Sequence, residues 1–118
     1  MKEKIKWITY KGKEILYCDF RELNEDELIN HMKYSDELLI SSGKTEILKI
    51  NDVRGLFAMI SILPEIQKSA ERQKKYLKKS AYVGTNGVKK LLDALNRLSK
   101  SKSKPFDTLE KAMEWIVK

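Results

Sequence analysis

Three short polar clusters each follow an apolar run: Asp19-Phe20-Arg21, Asn51-Asp52-Val53-Arg54-Gly55 and Gly84-Thr85-Asn86-Gly87. The two arginines could hold a phosphate or carboxylate through paired hydrogen bonds, and Asp19 and Asp52 could share the acid–base work of two carboxylates. The third cluster opens a helical pattern, whose free amides and positive dipole end favour an anion, with Lys89 and Lys90 adding charge nearby. Each feature also has a structural reading. Asp and Arg can pair with one another and cap helices. A turn with Gly at positive φ and Thr or Asn as cap is an ordinary strand-to-helix connection, and the G-K-[ST] ending of a phosphate loop is absent. Nothing in the spacing fixes the two carboxylates at a catalytic separation, so no enzyme activity is expected.

The remaining reactive side chains are solitary. His31 has no second ligand at helical spacing, and metal sites need several. Cys18 lies in an apolar run, where a free thiol behaves as a small apolar group and has no disulfide partner. Trp7 and Trp115 read as core or core-edge packing. Neither a metal nor a cofactor is expected.

The elements that would position these residues follow from periodicity. Ile5 to Tyr10 alternates as a strand, Lys11-Gly12-Lys13 makes a turn, and Glu14 to Phe20 returns as a second strand, which together predict a hairpin. Its run Ile15-Leu16-Tyr17-Cys18 does not alternate, as expected of a strand covered on both faces. Asn24 and Glu27 form a capping-box variant ahead of a helix with the stripe Leu28, Met32, Ser35 and Leu39, flanked by Ile29 and Ile40 and closed by Gly43. Thr45 to Ile50 predicts the next strand. Pro64 suits the first turn of a helix whose stripe is Ile66, Ala70 and Leu77. The apolar stretch Leu56 to Leu63 is compatible with a buried loop, a helix or a strand. It could pack in the core, line a groove or form a dimer face, and core packing is favoured. Ser80 to Val83 predicts a short strand and Val88 to Ser99 an amphipathic helix. After the polar connector 100–104, Pro105-Phe106 predicts a last strand, and Asp107 or Thr108 caps a terminal helix through Ala112, Trp115 and Ile116. The order β-β-α-β-α-β-α-β-α predicts an α/β fold: a mostly parallel sheet of four or five strands behind an N-terminal hairpin. The clusters at Asp19, Asp52 and Gly84 would then share the rim where such sheets bind ligands.

With 118 residues, positions 1–118 read as a single domain. No apolar stretch approaches the ~20 residues that span a bilayer, no secretory signal opens the chain, and cytoplasmic residence is the expectation. The net charge of +7 is uneven: residues 1–60 hold 10 Lys/Arg against 11 Asp/Glu, and residues 61–118 hold 14 against 6. A basic half can attract nucleic acid, but Tyr76 and Tyr82 are its only aromatics from 68 to 104, too few for base stacking. A Lys-rich solvated face is favoured over nucleic-acid binding.

The stretches Lys78-Lys79-Ser80-Ala81-Tyr82-Val83-Gly84, Gly87-Val88-Lys89-Lys90 and Phe106-Asp107-Thr108-Leu109-Glu110-Lys111-Ala112-Met113-Glu114-Trp115 are similar to the pattern of small bacterial STAS-like (SpoIIAA-like) proteins. The resemblance implies helices mainly on one side of the sheet, in a fold shared with CRAL/TRIO lipid-binding domains. Anti-sigma-factor antagonists of this fold carry a phosphorylatable Ser after a strand. The matching stretch Ile50-Asn51-Asp52-Val53-Arg54-Gly55 has no hydroxyl, so phosphorylation there is not expected. What the resemblance leaves is a non-enzymatic regulatory or adaptor module that binds a protein partner or a small anionic ligand, with a homodimer also compatible. The alternative is an anion-binding domain for nucleotide, phosphate or acidic lipid. Its candidate site is Asp19, Arg21, Asp52, Arg54, Gly84, Thr85, Asn86 and Gly87.

Overall fold

A computed structural model of the chain describes residues 3–55, 61–84, 93 and 103–118. Its elements are β1 (Ile5–Tyr10), β2 (Lys13–Asp19), α1 (Glu25–Ser41), β3 (Ile47–Asp52), α2 (Leu63–Gln73), β4 (Leu77–Val83), β5 (Ser103–Phe106) and α3 (Leu109–Ile116). The five strands lie in sequence order, with β1 antiparallel to β2 and β2 to β5 mutually parallel. This is the predicted sheet.

The hairpin closes through Lys11 and Gly12, at φ 49° and 77°. Two positive φ values make the turn whose twist matches the flanking strands, and Gly12 relieves one of them. Asn24 caps α1 reciprocally: Glu27 N donates to Asn24 Oδ1 at 2.9 Å, and Asn24 N donates to Glu27 Oε1 at 3.0 Å. Leu28, Met32, Ser35 and Leu39 are all buried, as the stripe predicts.

Strands in sequence order joined by right-handed crossovers send each helix to the same face of the sheet. Accordingly α1 and α2 pack on one face, where Leu28, Met32, Leu39 and Ile66 meet Leu16, Cys18 and Phe20 of the β2 segment. The second face is covered by α3, whose Ala112 and Ile116 lie on Ile15, Leu48, Ile50, Ala81 and Val83. Helix α3 follows β5 and takes the face opposite α1 and α2.

Several predicted boundaries move. Leu77, read as part of the α2 stripe, begins β4 instead. The helix stops at Gln73, Tyr76 N donates to Gln73 O at 2.9 Å, and Ile47 N donates to Tyr76 O at 2.8 Å, so the ladder with β3 captures the chain three residues before Ser80. The strand predicted at Thr45–Ile50 runs from Ile47 to Asp52, because Glu46 turns through φ 56°. Ser103 and Lys104, read as connector, pair with Ser80 and Ala81 in β5, and Pro105 is tolerated there because β5 is an edge strand. Thr108 is the N-cap of α3, its side chain accepting from Lys111 N. Of the ambiguous stretch, Ile62 is buried and Leu63 opens α2; residues 56–60 lie outside the described residues, as does the helix predicted at Val88–Ser99 except Asp93, which is helical.

The capping box leads to a direct expectation. Asn24→Ala should lower the unfolding free energy by about 1 kcal/mol, read from urea melts as a shifted midpoint with unchanged slope.

Candidate ligand cavity and strand-end rim

Asp19 and Asp52 are paired neighbours on the parallel strands β2 and β3, so their side chains leave the same face side by side. Each is followed two residues later by its own arginine. Arg21 donates through Nε and Nη2 to the two oxygens of Asp19, at 2.9 and 3.0 Å. Arg54 does the same to Asp52, at 2.9 and 2.7 Å. Tyr17 Oη donates to Asp52 Oδ2 at 2.9 Å, and Arg21 Nε stands 3.8 Å from that same oxygen. Backbone bonds extend the ladder past the strands: Phe20 N to Asp52 O, Val53 N to Val83 O and Gly84 N to Phe106 O, each at 2.9 Å.

Asp19, Arg21, Asp52, Arg54 and Gly84 therefore share one rim at the carboxyl ends of the parallel strands, while Thr85, Asn86 and Gly87 lie outside the described residues. The arginines are pinned to carboxylates, and the four charges sum to zero. Burial separates the two pairs. The Asp52 carboxylate is 0% exposed and that of Asp19 is 14% exposed, whereas both guanidiniums reach solvent. The Arg21 guanidinium holds the Asp19 carboxyl below its usual range against the opposing effect of burial. Burial, then the hydrogen bond to Asp52, pushes the Tyr17 phenol up, so Tyr17 remains a donor.

The opposite face of the same strands carries a different arrangement. Strand β3 is buried along its whole length, so it has no solvent side on which to place a polar residue. It nonetheless turns Lys49 and Asn51 towards α1 and α2, beside their register partners Ser80 and Tyr82 on β4. Lys49 is 5% exposed. Its ammonium donates to Gln73 Oε1 at 2.7 Å and makes no ion pair among the described residues. Asn51 Nδ2 donates to Ser80 Oγ at 3.4 Å.

Gln73 belongs to a buried network between the helices. Ser69, Arg72 and Gln73 occupy i, i+3 and i+4 of α2 and so face the same way. They converge on Asp36 of α1, which is itself buried. Ser69 Oγ donates to Asp36 Oδ1 at 2.7 Å, Gln73 Nε2 donates to the same oxygen, and Arg72 donates to Oδ2 through Nε at 3.0 Å and Nη2 at 2.6 Å. Asp36 is thus neutralised by Arg72, and Lys49 is left as a second, buried positive charge one amide away.

Lys49, Asn51, Ser80 and Tyr82 line a cavity of about 300 Å³, whose apolar walls include Phe20, Leu28, Met32, Val53 and Ile66. Desolvation pushes the Tyr82 phenol up to about 12. Cys18, expected in the core, is fully buried on this face; desolvation raises its thiol, and its Sγ lies 3.5 Å from Ser35 Oγ.

Residue types and spacing in the sequence point to the rim and not to Lys49, Asp36, Ser69 and Gln73. One signal was present. Ile47-Leu48-Lys49-Ile50 places a lysine inside a strand that βα alternation makes central, and such a strand is covered on both faces.

A search of solved structures matches this chain to an uncharacterized protein of the DUF3478 family with a SpoIIAA-like fold, from Shewanella loihica PV-4. The match has a TM-score of 0.66 and covers 95% of this chain and 91% of that one at 15% identity. The fold is SpoIIAA-like. No protein-family model and no curated protein matches the chain. In this SpoIIAA-like sheet, the stretch Ile50–Gly55 that the resemblance aligns with a phosphorylatable loop is held by the Asp52–Arg54 pair.

The rim and the cavity predict opposite responses to loss of charge. Arg54→Ala leaves a buried carboxylate short of its main partner and should cost about 2–3 kcal/mol in urea melts, whereas Arg21→Ala should cost less than about 1 kcal/mol because Asp19 can turn to water. Asp19 titrates below its unfolded value, so its contribution is complete above about pH 4 and is lost as pH falls through the lower folded value. Wild type and Arg21→Ala should accordingly differ at pH 7 and converge towards pH 2. Lys49→Met removes a desolvated charge at the cost of one hydrogen bond, and its stability should stay within about 1 kcal/mol of wild type.

Proposed function

We propose that this SpoIIAA-like domain is a non-enzymatic regulatory module that acts by binding a small amphipathic anion in the cavity between the sheet and α1/α2. The observation that carries this reading is Lys49: a buried ammonium facing a cavity with apolar walls, with no carboxylate paired to it among the described residues. Burying a charge is costly unless something compensates it. A protein that needed only stability at this position would gain from an apolar residue, since a buried charge is poor evidence of stabilisation. A cavity of this size with a few convergent polar groups is the usual form of a small-molecule site.

The rim supports this reading less well as a site. Its arginines already have carboxylate partners, and an incoming anion would have to displace them. Catalysis has no support in the cavity either, where no carboxylate or histidine lies among the described lining residues.

The probe for cavity binding is 1-anilinonaphthalene-8-sulfonate, an apolar fluorophore with one negative charge. Wild type should bind it saturably at one equivalent with a rise in melting temperature. Ala70→Trp, which fills the cavity from α2, should abolish both effects. Absence of saturable binding, or binding that Ala70→Trp leaves unchanged, would remove the cavity as the site.

A further inference from the structure

The head group of the ligand follows from charge and donor geometry in the cavity, on the premise that the cavity is the binding site. The hydrogen-bonded polar set contains two cations, the buried Lys49 and the solvent-exposed Arg72, and one anion, the buried Asp36. Its net charge of +1 is made neutral by one negative charge and overshot by two. A phosphate monoester, close to dianionic at neutral pH, would leave an excess negative charge with one buried ammonium to answer it, since Lys74 and Lys78, which also line the cavity, are exposed and Lys79 Nζ donates to Trp115 O. A monoanion closes the set.

The donors available are also those a carboxylate uses. An ammonium has three hydrogens, and Gln73 takes one of those on Lys49. Ser80 is the register partner of Lys49, and its hydroxyl, an acceptor for Asn51, keeps its own hydrogen to give. These two side chains on adjacent strands can each meet one oxygen of a carboxylate. The apolar part of the wall is Phe20, Leu28, Met32, Val53 and Ile66, which can accept an apolar body. The volume, about 300 Å³, lies at the small end of ligand pockets, which run to about 1,000 Å³.

We infer that the cavity takes a small apolar monocarboxylic acid, its carboxylate seated on Lys49 and Ser80 and its body against the α1/α2 wall. Gln73 acts as a positioning residue: it holds the Lys49 ammonium at the polar end and is itself fixed by Asp36 and Ser69.

Three ligands of one body test this by calorimetric titration into the wild-type chain: 2-naphthoate, neutral 2-naphthamide and 2-naphthyl phosphate. The expected order places naphthoate at least about tenfold tighter than either of the others, the discrimination of one charge-assisted hydrogen bond. In Lys49→Met, and independently in Lys49→Gln, naphthoate should lose that advantage and bind no better than the amide. Equal binding of naphthoate and naphthamide to wild type would overturn the carboxylate assignment while the sulfonate probe still reports the cavity. Tightest binding by the phosphate would overturn the single-charge argument. Failure of all three ligands together with failure of the sulfonate probe would instead remove the cavity reading beneath the proposal. The wild-type comparison needs no variant to fold.

Discussion

Strand β3 is the constraint on which the rest of the molecule depends. It pairs in parallel on both sides and is buried along all six residues, so every side chain it carries must be satisfied inside the protein. On one face it offers Leu48 and Ile50, and α3 seals them. On the other it offers Lys49 and Asn51, which an apolar helix face could not cover without cost. The helices answer with Gln73, Ser69 and Asp36, and that reply shapes the polar end of the cavity. Asp52, at the end of the same strand, is met by Arg54 and Tyr17.

The two polar systems differ in what they can still do. At the rim, each Asp-x-Arg unit closes on itself, because alternation directs the Asp side chain out of the strand and the turn brings the arginine back over it. The result is a neutral edge whose hydrogen bonds are already made. In the cavity, the spacing of Ser69, Arg72 and Gln73 sends three groups to Asp36, and the surplus charge appears on Lys49. Stored, unpaired charge rather than charge density marks a place where a ligand can contribute. For that reason the functional reading rests on one buried lysine instead of on four charged residues at the strand ends.

Much of the fold is legible in the sequence. The apolar stripe of α1, its capping box, the hairpin and the alternation that requires parallel strands are local patterns, and local patterns fix local structure. Element edges were less legible, since Leu77 fits a helical stripe and a strand start equally well, and only its ladder with Ile47 decides between them. The rim was legible as an assembly, because parallel strands that feed helices must end on one side. Its internal pairing was left open, since pairing and ligand binding make the same demands on residue type.

The sequence by itself determined the α/β class, the sheet of parallel strands behind a hairpin, and the gathering of Asp19, Arg21, Asp52, Arg54 and Gly84 along one edge. These follow from periodicity and chain handedness, which act over a few residues or a single crossover. Only the tertiary structure decided that Lys49 is buried without a carboxylate among the described residues, that Asp36 is claimed by Arg72, and that a cavity lies above Asn51 and Ser80. Those facts depend on which face of β3 meets which helix and at what height. Burial and charge balance are sums over residues more than thirty positions apart, as Asp36 and Arg72 are, and no local pattern in the chain encodes such a sum.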